Sequence, residues 1–199
     1  MLQSGRIRWV GDPTLGISLV GLADWAQTRG TILAVTETYR ASANPGSYAA
    51  HFAEVEVDAL TGRVKVLSYL AAHDLGCALN RQLVHGQIQG GVQMGLGYAL
   101  MEDIRPDPET GALRGDSFSR YHLINAPEMP TVEVLLIEEG EPTGPYGAKA
   151  FGEIATIPAA PAVVNAVNHA LDRKLGELPL TQERILEAMC QSVNWRQTL

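Results

Sequence analysis

Alternation of apolar and polar residues is clearest between positions 53 and 71. "AEVEVD" (53–58) is apolar at every second position, and "RVKVLSYLA" (63–71) resumes the pattern after "ALTG". Two period-two runs around a Gly-containing turn predict an antiparallel hairpin, with Val55 and Val57 toward a core and Glu54 and Glu56 away from it. A helical period governs "SLVGLADWAQTRG" (18–30), where Leu19, Leu22, Trp25 and Ala26 share a face, Ser18 is placed to cap and Gly30 to stop. The β-branched stretch "TILAVTETYRA" (31–41) reads as extended, and "SANPGS" (42–47) as a turn or linker. After the hairpin, "AAHDLGCALN" is an apolar loop broken at Gly76, and Asn80 can cap a helix through about Asp103. Residues 106–115 predict a second hairpin turn, 131–140 a strand and 141–153 an irregular loop. Residues 157–176 predict a helix with prolines at its entrance and Gly176 at its end, and 181–193 a last amphipathic helix. Hairpins and a mixed sheet packed with helices, without strict βαβ alternation, indicate an α+β fold. Residues 1–45 read as an N-terminal extension and linker, and 46–199 as the principal segment.

The helix predicted after Asn80 carries Gly86, Gly90, Gly91, Gly95 and Gly97. Each costs roughly 1 kcal/mol against alanine in a helix interior, so something must recover several kcal/mol. Three readings stand: a kinked or fragmented helix, helix-on-helix packing through small residues, or a large ligand lying against bare backbone.

Composition narrows the function classes. The 199 residues are 46% hydrophobic, 19% charged and 6% aromatic, with 20 glycines, which favours close backbone packing. A net charge of −7 argues against nucleic-acid binding. No apolar run is long enough to cross a membrane, and the N-terminus lacks a signal-peptide apolar region. Cys77 and Cys190 are too few for a zinc site or iron–sulfur cluster, and the five histidines show no ligand-like spacing, so each is expected at the surface or hydrogen-bonded in a structural role. The cysteine usage fits a cytoplasmic, reduced protein.

"GAKAFGEI" (147–154) has the two-glycine spacing of a phosphate-cradling loop, but Glu153 stands where the cation should be. A carboxylate there would repel a phosphate, so the turn serves another chemistry.

Taken in order, "AEVEVDALTGRVKV", "AAHDLGCALNRQLVHGQIQGGVQMGLGYAL" and "GPYGAKAFGEIATIPAAPAVVNAV" resemble the C-terminal part of the molybdenum-binding large subunit of the molybdenum hydroxylases, the xanthine dehydrogenase and aldehyde oxidase family. The resemblance runs from about Ser47 to Ala188. It implies the family's molybdenum-cofactor-binding fold and a part in the oxidative hydroxylation of an electron-poor carbon (aldehyde, purine or N-heterocycle) with water as oxygen source. It implies that Glu153 is the general base on the metal-bound hydroxyl. It also implies that Gln87, at a G-Q-[IV]-x-G helix entrance, with Gly86, Phe151 and Gly152, meets a molybdenum–molybdopterin cofactor whose metal is held by the pterin. For Gln87 the other reading is an amide satisfying loop carbonyls, for Lys149 a solvated loop lysine, and for Glu153 a solvated loop acid. Ala150 departs from the glycine common in the family's "GAKGxGE" form, and Cys77 stands where many relatives have a basic or small residue.

Family large subunits are several hundred residues longer. The resemblance therefore implies a C-terminal fragment or one piece of a split subunit, inactive without a larger molybdenum-binding chain and unable alone to hold the cofactor. Iron–sulfur clusters and FAD are expected on partner chains, and a bacterial split enzyme would favour the cytosine dinucleotide form of the pterin. A non-catalytic structural or assembly segment is the alternative. The substrate is not legible in this segment.

Overall fold

The computed structural model describes residues 1–38, 40 and 42–190. The chain divides into two units, Met1–Arg40 and Ala41–Leu199.

In the first unit, β1 (Leu2–Gln3), β2 (Arg6–Arg8) and β3 (Gly16–Ser18) form an antiparallel sheet in that order and lead into α1 (Leu19–Thr28). Ser18 caps α1, its Oγ accepting from Gly21 N at 2.9 Å, and Gly30 lies just past the end with φ 62°. Residues 31–38 join no sheet among the described residues, despite their β-branched content, and Ile32 and Val35 are exposed. A strand needs a paired neighbour to satisfy its backbone. Tyr39 and Ala41, at the end of the stretch expected to be extended, lie outside the described residues.

In the second unit, β4 (Tyr48–Val57) and β5 (Val64–Asp74) form the expected hairpin, with Val55 and Val57 packed on the core. The unit continues with α2 (Arg81–Leu100), the small hairpin β6 (Arg105–Pro106) and β7 (Leu113–Arg114), then β8 (Thr131–Ile137), α3 (Ala159–Leu171) and α4 (Gln182–Cys190). β8 pairs parallel to β5, giving a mixed sheet of order β4-β5-β8 whose parallel crossover contains α2. The core lies between sheet and helices. Ile88, Val92, Leu96 and Ala99 recur along one face of α2 at helical spacing and meet Val163 and Val167 of α3 and Ile185 of α4.

Two local features matter for the site. Glu54 pairs with Ser68 and Val55 with Val66, so Leu67 is an extra residue in β5. This bulge shifts the phase of the strand, and beyond it Tyr69, Ala71 and His73 turn inward. α3 is shorter than predicted. It ends at Leu171 because Asp172 takes a left-handed φ of 52°, well before Gly176. No helix among the described residues is long and apolar enough to cross a membrane.

Candidate active site

The glycine-rich helix α2 runs unbroken over 20 residues, capped by Asn80, whose Oδ1 accepts from Leu83 N at 3.0 Å. It is not fragmented, and four of its five glycines divide between two faces, while Gly97 lies against the Glu102 side chain. A Cβ at Gly91 would lie 2.7 Å from Ala155 Cβ, and one at Gly95 would lie 2.2 Å from Ala159 Cβ. These two positions let α2 approach the start of α3. A Cβ at Gly86 or Gly90 would meet nothing within 4 Å. Small-residue packing therefore accounts for one pair, and the other pair is left open.

The open pair borders a cleft of about 630 Å³, which Gln87, Gly152 and Glu153 also line. Gly86, Gln87, Gly152 and Glu153, predicted from separate parts of the sequence, are thus brought together on one surface. Gln87 is exposed there and donates from Nε2 to Gly152 O at 2.9 Å. Its amide satisfies a loop carbonyl, and that carbonyl belongs to the residue before Glu153. Phe151 goes elsewhere. It lines a neighbouring cleft of about 340 Å³ with Leu75, Lys149 and Gln87.

The loop that ends at Glu153 has only a short 3-10 turn at Pro145–Gly147, yet successive residues are held by different elements. Gly147 O accepts from Cys77 N at 2.8 Å and from Glu141 N at 2.9 Å. Lys149 N donates to Leu75 O at 3.0 Å, and Ala150 O accepts from Ser47 Oγ at 2.9 Å. Gly76, at φ 69°, makes this approach possible, since a Cβ there would lie 2.4 Å from Gly147 O. Lys149 Nζ meets Asp74 Oδ2 at 2.6 Å with only 11% of the lysine side chain exposed. The lysine's hydrogen bond holds the Asp74 carboxyl below its usual range, and the same bond raises the Lys149 ammonium. Lys149 is neither a solvated loop lysine nor a member of the Glu153 cleft; it ties the loop to the end of β5.

Behind Phe151 lies a polar cluster that sequence reasoning did not assemble. His73 is fully buried, and its Nε2 stands 2.8 Å from Nε2 of His51, whose Nδ1 stands 2.9 Å from Tyr69 Oη. The His73 and Phe151 rings meet edge to face, with centroids 5.3 Å apart. Burial, and then the neighbouring His73, lower the His51 imidazole to about 4; burial also lowers His73 and pushes the Tyr69 phenol up. The signal was in the strand, but the bulge at Leu67 hides which residues face inward.

Glu153 itself is exposed, and its carboxylate has no hydrogen-bond or ion-pair partner among the described residues. Its carbonyl accepts from Thr156 N at 2.9 Å, which starts the turn into α3. The N–H groups of Gly152 and Glu153 also lack acceptors among the described residues. No group of three or more His, Cys, Asp or Glu among the described residues is placed to hold a metal ion directly.

Comparison with known proteins shows the family to which the chain belongs. The model of the molybdopterin cofactor-binding domain matches residues 3–130, which takes in most of the segment read above as an extension. The chain is 35% identical over 159 residues to the xanthine dehydrogenase molybdenum-binding subunit of Escherichia coli O157:H7, covering 80% of this chain and 21% of the relative. It is 31% identical over 144 residues to the aldehyde oxidoreductase molybdenum-binding subunit PaoC of Escherichia coli (strain K12), covering 72% of this chain and 20% of the relative. The solved structure of the Cu,Mo-CO dehydrogenase superimposes with a TM-score of 0.77 at 27% identity, over 96% of this chain and 25% of that one. The chain thus spans about a fifth to a quarter of the length of these relatives. It belongs to the molybdopterin cofactor-binding domain family found in the molybdenum-binding subunits of xanthine dehydrogenases and aldehyde oxidoreductases.

Proposed function

We propose that this chain supplies one wall of a molybdenum–molybdopterin site and the carboxylate that accepts a proton there, as part of an enzyme that hydroxylates an electron-poor carbon with water as the oxygen source. The observation that carries the reading is a contrast. The backbone leading to Glu153 is held by partners at Gly147, Lys149, Ala150 and Gly152, while the carboxylate at its end has none and lines an open cleft.

The residues present fit such a group. A pterin with its phosphate needs close approach and donors. Gly86 and Gly90 offer close approach, because no side chain stands over them. They do not offer donors, since N–H groups in the middle of α2 are committed to the helix. The donors are the free N–H groups of Gly152 and Glu153, with the Gln87 amide beside them holding Gly152 in place. When bound, the molybdenum cofactor supplies the activated oxygen and receives two electrons from the substrate. The group this chain would contribute is the Glu153 carboxylate, whose Oε would accept a proton, ahead of substrate oxidation, at a position set by the Gly152 peptide.

The remainder of the cofactor contacts and the substrate pocket are assigned to a larger molybdenum-binding chain, and electron transfer onward to iron–sulfur and flavin partners. The test is Glu153→Gln in the complete assembly. Turnover should fall by about 10²–10⁴-fold, with molybdenum content retained. Unchanged turnover would defeat the proposal and leave a structural role.

A further inference from the structure

The cluster behind Phe151 has a feature that the proposed function does not use. His73 is fully buried, and its Nδ1 has no hydrogen-bond partner among the described residues. A buried polar atom left unmet is costly, so the contacts that His73 does make must offset that cost. Those contacts are His51 on one side and the Phe151 ring on the other.

The proton order along the cluster follows from the geometry. At 2.8 Å, one Nε2 must donate and the other accept. If His51 donates, His73 carries its proton on the unmet Nδ1, leaving a buried N–H with no acceptor. If His73 donates, only a bare lone pair is left unmet, and His51 Nδ1–H donates to Tyr69 Oη at 2.9 Å. Orphaned buried donors are rarer than under-used acceptors, which favours the second order, running from His73 through His51 to Tyr69. Tyr69 and His73 are inward-facing positions of β5, and His51 is opposite on β4, so the cluster is anchored in the sheet.

We propose that His73 is a positioning residue for the Glu153 turn. Its ring, oriented by His51 and Tyr69, fixes the Phe151 ring, and Phe151 fixes the peptide that enters Gly152 and Glu153. The proposal rests on the reading of that turn as the proton-accepting part of the site. Gln87 holds the same turn from the α2 side at Gly152 O. The turn is therefore braced from the sheet and from the helix, and the sheet brace acts through a ring contact.

His51→Leu cuts the polar link at a partly exposed position while keeping an apolar body there. His51→Gln keeps a side-chain amide able to donate to or accept from His73. In NMR spectra of the full chain, His51→Leu should shift or broaden the Phe151 ring and Gly152 amide resonances, and His51→Gln should return them toward their original places. In the assembled enzyme, His51→Leu should lower kcat by about ten- to a hundredfold, with KM and molybdenum content unchanged and rescue by His51→Gln. Unmoved Phe151 and Gly152 resonances in a folded His51→Leu chain, or an undiminished kcat beside moved ones, would overturn the proposal. The unaltered chain gives a check that needs no variant: NOEs between the His73 and Phe151 rings are expected, and their absence also overturns it. Full turnover in Glu153→Gln would instead defeat the proposed function while leaving these NMR results standing.

Discussion

Alanine at Gly90 should stabilise the chain, and alanine five residues on, at Gly95, should not. Both lie within α2, where replacing glycine by alanine gains roughly 1 kcal/mol from helix propensity alone. At Gly90 nothing opposes that gain, because the new Cβ meets no atom within 4 Å. At Gly95 the new Cβ would sit 2.2 Å from Ala159 Cβ and 3.3 Å from Thr156 O. Carbon atoms in contact prefer about 3.5–4.0 Å, so α2 and α3 must separate by more than an ångström at that point. Overpacking of this kind costs about 1–3 kcal/mol, and the two variants should therefore differ by about 1–3 kcal/mol. Thermal unfolding of the full chain followed by circular dichroism would read the difference, since 1 kcal/mol shifts Tm by about 2–4 °C for a chain of this size. The functional consequence runs the other way. In the assembled enzyme, Gly90→Ala and Gly86→Ala add a methyl group to the surface assigned to the cofactor, so molybdenum content should fall although the chain is more stable. Equal destabilisation at Gly90 and Gly95 would refute the division of the helix into a packing face and an open face. Stabilisation with molybdenum content unchanged would refute the ligand role of the open face.

The histidine cluster predicts acid sensitivity. His51 is lowered from the usual 6.5 to about 4 and His73 is lowered too, so the unfolded chain takes up protons as pH falls through 6.5 while His51 in the folded chain resists until about 4. The stabilisation is complete above pH 6.5 and is lost toward pH 4; the full His51 shift corresponds to roughly 3 kcal/mol, reduced by partial exposure and screening to about 1–2 kcal/mol. Urea titrations at pH 7 and pH 4.5 should show this loss, and His51→Gln should flatten it; a slope unchanged in that variant would contradict the assignment. The chain purified alone should carry well under one molybdenum per polypeptide, because one wall of the site gives contacts on one side of the cofactor only. Metal analysis showing a stoichiometric load would contradict this.

The hairpin β4–β5 was legible because one face is buried and the other is not, which writes a period of two into the sequence. The start of α2 was legible because Asn80 is a side-chain cap with a local mechanism. The end of α3 was not, because a tertiary arrangement overrides the glycine signal. Asn168 exchanges two hydrogen bonds with the backbone of Leu175, donating at 2.9 Å and accepting at 2.8 Å, and so holds the chain in a turn before Gly176 is reached. The glycines of α2 announced an unusual surface but not its division, since Gly90 and Gly91 are neighbours in sequence and differ only in which way they face. His73 was hidden for a similar reason. Val64 and Val66 set an inward phase that would carry Ser68 and Leu70 inward, and the extra residue Leu67 hands the inward side to Tyr69, Ala71 and His73 instead.

The same limit applies to the loop that carries Glu153, and there it bears on mechanism. Its three glycines and two prolines predict irregular backbone, and irregular backbone invites the inference of mobility. The structure separates these two properties. Ser47 reaches Ala150 across 103 positions of sequence, Asp74 reaches Lys149 across 75, and Gln87 reaches Gly152 across 65. None of these partners is adjacent to the loop in the chain, so no local pattern could announce them. Together they fix a segment that has no regular hydrogen-bond ladder of its own. A base that accepts a proton must lie within hydrogen-bond reach of it, and misplacement by an ångström can cost about a hundredfold in rate. Holding the peptide before Glu153 from the sheet, the neighbouring loop and α2 meets that demand while leaving the carboxylate itself without a partner. Glycine is needed where backbone must pass close to backbone: a Cβ at Gly144 would sit 2.0 Å from Ala148 O, and one at Gly76, in the facing loop, 2.4 Å from Gly147 O. In this loop Gly144 marks close packing and restraint, whereas Gly152, where a Cβ would meet nothing within 4 Å, leaves the approach to Glu153 open.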